Sequence, residues 1–174
     1  KNRLKMTYKN LFTILGFKLT WIACVLGEVF YGSWIGLFVG FFYLFIFFLF
    51  QENKKSSFYI ILIFSLAGYI FDSLLSYWNL YIIKADIYFL FLPIWFLVLW
   101  PAFGTLLINF FLFLKNKKII SIILGGIMGP ISYYSGIYIG LATFQNYLTF
   151  ILMAVFWSTL MFCYCNYILR RKLL

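Results

Sequence analysis

Histidine is missing altogether from the 174 residues, and Asp and Glu together number four against fourteen Lys and Arg. Without an imidazole the chain lacks the commonest zinc ligand and the commonest general base. Its three cysteines, Cys24, Cys163 and Cys165, form no CxxC pair and are too few for a structural metal, so neither a metal nor a cofactor is expected. Charge of any sign is scarce: a tenth of the residues carry it, while two thirds are hydrophobic. Such a composition excludes a water-soluble core of this size. The net charge of +10 sits in short clusters between apolar runs, and no basic domain exists to hold a duplex, so nucleic acid is not an expected partner. Nor does the first apolar run read as a cleavable leader: it is long, contains Lys18 and ends in Gly27-Glu28 without a small-x-small site.

What remains is hydrocarbon in six runs, at about 10–29, 34–50, 58–78, 88–114, 119–141 and 147–169. A helix rising about 1.5 Å per residue crosses a core of roughly 30 Å in some twenty residues, so each run reads as a span. The expected fold is all-α, a polytopic membrane bundle of six transmembrane helices in one domain over 1–174. The run at 88–114 is longer than a crossing needs. Pro93 is expected in its first turn, and Pro101 is expected to kink it and free the Leu97 carbonyl. With six crossings, twelve of the fourteen basic residues collect on one side: the N-terminal cluster, Lys54 and Lys55, the cluster of Lys115, Lys117 and Lys118, and Arg170 to Lys172. By the bias of positive residues toward the cytoplasm, both termini are cytoplasmic.

Small residues recur along three of the runs. In the fifth, Gly125, Gly129, Gly136 and Gly140 fall at helical spacing and read as helix-packing glycines, with Pro130, Tyr133 and Tyr134 interrupting the hydrocarbon. That run is expected to organise the bundle. Gly32, Gly36 and Gly40 make a second seam, and Ser65, Gly68, Asp72 and Ser76 share one face of the third run, turned inward. Such seams serve equally well for packing within one chain or for pairing two copies.

Ionisable and amide groups inside hydrocarbon are costly and mark sites worth questioning. From the helix rise, Lys18 and Asn109 lie roughly 12 and 8 Å inside the cytoplasmic border, whereas Glu28, Asp72, Tyr133 and Tyr134 share a layer roughly 21 to 27 Å from it. The candidate intramembrane network is therefore Lys18, Asp72, Asn109, Tyr133 and Tyr134. Lys18 either snorkels to the headgroups or pairs with Asn109 or Asp72. Glu28 reads as interfacial. Asp72 is the strongest candidate, with Tyr133 and Tyr134 as phenolic donors to its carboxylate or as members of an aromatic belt.

Pro93-x-Trp95-x-x-x-Leu99-Trp100-x-x-Phe103-x-x-x-Leu107-x-Asn109, then Gly125-Gly126-x-x-Gly129-Pro130-x-Ser132-Tyr133-Tyr134-x-Gly136, resembles a family of small bacterial inner-membrane proteins with no established activity. Trp21-x-x-Cys24-Val25-x-Gly27 and Gly68-x-x-x-Asp72 are similar to it too, so the resemblance covers most of the chain. Asn109 stands where a small hydroxyl residue is more usual, and Glu28 is unusual there. Members lie beside genes for cyclopropane-fatty-acid-synthase-like enzymes, which implies a role near membrane lipid modification and carries over no catalytic residue. The expectation is a multi-pass inner-membrane protein that is not itself an enzyme, an accessory to lipid modification or envelope homeostasis. Its expected partners are membrane lipids and a lipid-modifying enzyme. Two alternatives stay open: a small transporter or channel using Asp72 and Lys18, and an intramembrane enzyme with Asp72 as acid or base.

Overall fold

The computed structural model describes residues 2–114 and 116–169, with side chains over 8–114 and 116–166. The side chains of Lys1, Arg3, Lys5, Lys115, Arg170, Arg171 and Lys172, which carry much of the orientation argument, lie outside the described residues. Among the described residues six α-helices follow one another: α1 (Asn2–Tyr31), α2 (Ser33–Phe50), α3 (Lys54–Tyr77), α4 (Phe96–Ile108), α5 (Lys118–Tyr138) and α6 (Leu148–Cys163). All but α4 are long and apolar enough to cross a membrane. They pack as three hairpins, α1 with α2, α3 with α4 and α5 with α6. Gly32 alone joins α1 to α2, at φ +89°, and a side chain there would also meet the Asp86 carboxylate at 2.7 Å.

The centre of the bundle is α4, not the glycine-rich α5. Nine of its thirteen residues are buried, because α3, α1 and α2 all pack around it. Thirteen residues rise only about 20 Å, so this helix does not cover a bilayer core by itself. The rest of the apolar run at 88–114 is spent otherwise. Phe110–Leu114 is a 3₁₀ helix at one end, and at the other β2 (Tyr88–Phe89) turns through Leu90 into β3 (Leu92–Pro93). Hydropathy reads a hairpin of Tyr, Phe and Leu as helix, since nothing polar punctuates it. Pro93 accordingly stands in a strand and not in a helical first turn. Its missing N–H is not missed there: the Ile94 amide bonds the Ile87 carbonyl at 3.0 Å, which leaves the next pair, Pro93 and Tyr88, a non-hydrogen-bonded one.

Two helices end alike. At the end of α3 the amides of Leu80 and Asn79 bond back to Leu75 and Ser76 (2.8 and 3.0 Å), with Asn79 at φ +55°. At the end of α5 the amides of Leu141 and Gly140 bond back to Gly136 and Ile137 (3.0 and 2.9 Å), with Gly140 at φ +81°. Each is the paired 6→1 and 5→2 closure of a helix by a left-handed residue. Gly140, expected to pack a helix, therefore ends one: nothing lies within 4 Å of where its side chain would be. Each closure feeds a strand, β1 (Tyr81–Ile83) and β4 (Ala142–Phe144), and the two pair antiparallel with Ile82 opposite Thr143. Lys84 N to Leu141 O (2.8 Å) and Gln145 N to Leu80 O (3.1 Å) extend the ladder on both sides. Non-helical backbone is tolerated in an apolar setting only when satisfied in this way. The strand pair thus ties α3 to α5 and roofs the space between them.

The remaining glycines are sites of close approach. A side chain at Gly36 would sit 2.6 Å from the Cys24 backbone, and one at Gly125 equally close to the Trp157 carbonyl, so these positions set how near α1 comes to α2 and α5 to α6. At the far end of the bundle Lys9 and Glu52 pair at 2.9 Å in an exposed position, which contributes little.

Candidate functional site

Asp72 lies five residues before the end of α3, roughly 8 Å below the strand roof, and is 4% exposed. The Trp100 indole N–H donates to its Oδ2 at 2.8 Å, and the Tyr133 hydroxyl donates to its Oδ1 at 2.6 Å. One carboxylate therefore joins α3, α4 and α5. Local sequence makes the approach possible. Gly68, one turn before Asp72, leaves bare backbone on which the Trp100 ring lies, 2.3 Å from where a side chain would begin. Gly68→Ala is expected to force that indole off Asp72 and cost about 1–3 kcal/mol as overpacking. Denaturation of the purified variant in detergent measures the loss. A weakened Trp100–Asp72 contact should also appear as a red-shifted, more quenchable tryptophan emission.

Tyr81 completes the layer. Its hydroxyl donates to the Tyr133 backbone carbonyl at 2.9 Å, and the two rings meet edge to face at 5.3 Å. Burial, with the Asp72 charge nearby adding to it, pushes the Tyr81 phenol up, so it stays a donor. Gly136 faces this hydroxyl, which lies 2.9 Å from where its side chain would be. Gly129 in turn leaves room for Trp157, whose indole stacks on Trp100 at 5.2 Å between centroids. The Trp157 Nε1 is buried close to the Tyr133 phenol yet completes no hydrogen bond of regular geometry.

These side chains wall a cavity of about 110 Å³. Phe17, Trp21 and Val25 of α1 face Ser132, Tyr133 and Gly136 of α5 across it, Trp95 just before α4 and Phe96, Leu99, Trp100 and Phe103 within it form its back, and the strand pair closes it above. Ser132 is exposed and Phe17 and Trp21 only half-buried, so its mouth is on the flank of the bundle between α1 and α5. By volume it approaches the roughly 150 Å³ apolar cavity that admits a benzene ring.

A second carboxylate stands behind one wall. Glu28, 8% exposed, accepts from the Ser33 hydroxyl (2.6 Å), the Trp95 indole (2.7 Å) and the Asp86 amide (2.7 Å), while Ser33 Oγ also accepts from the Ile87 amide at 3.1 Å. Expected at an open interface, it is instead the buried knot between α1, the start of α2 and the loop leading to α4. Among the described residues no lysine pairs with either carboxylate.

Of the residues expected to form a network, Asp72 and Tyr133 meet. Lys18 is exposed on α1 and takes no part. Tyr134 is 56% exposed and turns away, one helical step of about 100° from Tyr133. Asn109 caps α4, nine residues beyond Trp100, with its amide bonded to Thr105 O at 3.3 Å. Gly125, Gly129 and Gly136 are all buried. Trp95 and Trp100, which carry the family resemblance, and Trp157 were not expected at the site, because an indole in an apolar run gives no sign of being a donor. The five-residue spacing of Trp95 and Trp100 at the start of one helix, opposite two acidic residues, was the available signal.

The fold and site define a helical protein with five potential membrane-crossing helices and a carboxylate-bearing aromatic cavity in its flank. Residues 10–163 match the family described as protein of unknown function DUF2878, and with most of its length matched the chain belongs to that family. No curated protein and no solved structure matches it.

Proposed function

We propose that the protein resides in a bacterial inner membrane with both termini cytoplasmic, α4 completing a sixth crossing together with the 3₁₀ helix that follows it, and binds part of a membrane amphiphile in the Asp72 cavity, serving lipid modification without performing the chemistry itself. The observation that carries this is the mouth of the cavity. It opens sideways between α1 and α5, with Trp21 roughly 15 Å and Ser132 roughly 9 Å from the roofed ends of their helices, so in a bilayer a ligand would reach it from the acyl chains and not from water. A cavity of this size holds a short piece of a larger molecule, the rest remaining in the lipid. Asp72 is held by two donors on fixed helices, which suits an anchoring group better than one that must move a proton through each cycle. Lys18, which the transporter reading pairs with Asp72, is exposed on α1.

A phospholipid carrying a photoreactive diazirine near its headgroup, incorporated in nanodiscs with the protein, is expected to label peptides containing Phe17, Trp21 or Phe103. Ser132→Trp, which fills the mouth from α5, should cut that labelling about tenfold while leaving the helical circular dichroism unchanged, a factor worth about 1.4 kcal/mol of binding. Uniform labelling of all lipid-facing helices, insensitive to this substitution, would overturn the proposal. A matched lipidome from a deletion strain tests the link to lipid modification separately.

A further inference from the structure

The cavity is acidic in a basic protein. Fourteen Lys and Arg outnumber four Asp and Glu, yet of the two buried carboxylates Asp72 lines the cavity and Glu28 stands behind its Trp95 wall, and among the described residues no side-chain cation answers either. Both are held only by neutral donors: indoles, hydroxyls and an amide. A carboxylate removed from water without a counter-ion is costly, and that cost falls when a ligand supplies the positive charge. Asp72 also has spare capacity. Its two oxygens offer about four acceptor positions, of which Trp100 and Tyr133 take two.

The walls suit the same charge. Trp21, Trp95, Trp100 and Trp157 line the cavity, together with Phe17 and Phe103. Four of the six tryptophans of the chain therefore surround about 110 Å³ of space. Aromatic rings attract cations, most strongly when water is excluded, and rings beside one carboxylate are the chemistry that recognises substituted ammonium groups; the faces of Trp100 are taken by Gly68 and Trp157, which leaves this part to the other rings. A neutral acyl chain would make no use of Asp72, and an anionic headgroup would be repelled by it. We infer that the group seated against Asp72 is an ammonium, primary or quaternary, borne by an amphiphile whose apolar part leaves through the mouth between α1 and α5. This rests on the cavity being a binding site for a membrane amphiphile, and it names the chemical class of the part that enters.

Two sources supply such a group: the headgroup of an aminophospholipid, or a free alkylammonium amphiphile. The probe is decyltrimethylammonium, set against its uncharged isostere in which carbon replaces the nitrogen. Both are titrated into the protein in phosphatidylglycerol nanodiscs and followed by tryptophan fluorescence, with empty nanodiscs correcting for partitioning. The cationic probe is expected to bind saturably and at least about tenfold more tightly than the isostere. Asp72→Asn, which keeps an acceptor for Trp100 or Tyr133, should abolish that preference. Trp21→Leu, at the half-exposed mouth and apart from the hydrogen-bonded cluster, should reduce affinity for the cation more than for the isostere, which keeps the test valid if the Asp72 variant fails to fold. Replacing phosphatidylglycerol stepwise by phosphatidylethanolamine identifies the source. Competition with the probe supports the lipid headgroup, and its absence supports a free amphiphile. Equal binding of charged and uncharged probes would overturn the ammonium assignment while leaving an amphiphile site intact. If neither probe binds and the photoreactive lipid labels indiscriminately, both readings fall.

Discussion

Replacing Glu28 by Ala is expected to destabilise the protein by roughly 2–9 kcal/mol, because each buried donor left without an acceptor costs about 1–3 kcal/mol. Three donors lose their partner at once: the Ser33 hydroxyl, the Trp95 indole and the Asp86 amide. The lower bound applies if water reaches the Asp86 amide, which is only partly buried. The Trp95 indole has no such relief, since the residue is 2% exposed. Glu28→Gln keeps one acceptor oxygen but places an NH₂ where the other stood, facing a donor, and should fall between wild type and alanine. Chemical denaturation in mixed micelles gives the magnitude. Hydrogen exchange gives the location: amides at 84–95 should lose protection before those of α5 and α6. Uniform loss across the chain would mean that Glu28 does not hold this loop.

The carboxylate at Glu28 also decides how α4 enters the bundle. With Trp95 fixed to Glu28 and Trp100 to Asp72, the first turns of α4 are pinned on two sides, five residues apart, on either side of the cavity's back wall. Below them, the Tyr43 hydroxyl shares a 2.7 Å hydrogen bond with Thr105, and the Tyr164 hydroxyl donates to the Leu107 carbonyl. A short helix buried on most sides is held by polar contacts at several levels, and the cavity it backs keeps its shape as a result.

How much of this was legible follows from what hydropathy measures. The five long helices stand out because runs of some twenty apolar residues have few other meanings. Asp72 and Tyr133 were visible as costly groups at one depth, and depth is what helix rise supplies. Azimuth is harder. Tyr134 shares the depth of Tyr133 but faces outward, and Lys18, with a stem long enough for either choice, lies on the outside. The hairpin at 88–93 was invisible, since its turn uses Leu90 at φ +55° where a glycine or asparagine would have announced it. Gly140 misled for the opposite reason: its four-residue spacing from Gly136 is that of a packing seam, although its role is to end the helix.

Asp72→Leu and Asp72→Asn should part company, and the gap between them measures what the carboxylate does for the fold. Leucine is close in volume but accepts nothing, so the Trp100 N–H and the Tyr133 O–H are both orphaned in a space from which water is largely excluded. At about 1–3 kcal/mol each, the loss comes to roughly 2–6 kcal/mol. Asparagine retains one carbonyl acceptor and should cost nearer 1 kcal/mol, in line with the modest net worth of side-chain hydrogen bonds between membrane helices. Tyr133→Phe removes a single donor and leaves Asp72 with one partner, so its cost should resemble that of asparagine. Combined with Asp72→Leu, it should recover part of the loss, because it removes the very O–H that leucine leaves without an acceptor. Thermal denaturation of the four variants in one detergent closes this cycle. Full additivity of Tyr133→Phe and Asp72→Leu would show that the two side chains do not interact, and the junction of α3, α4 and α5 would then have to be sought in the packing of Gly68 and Gly129 against the two indoles.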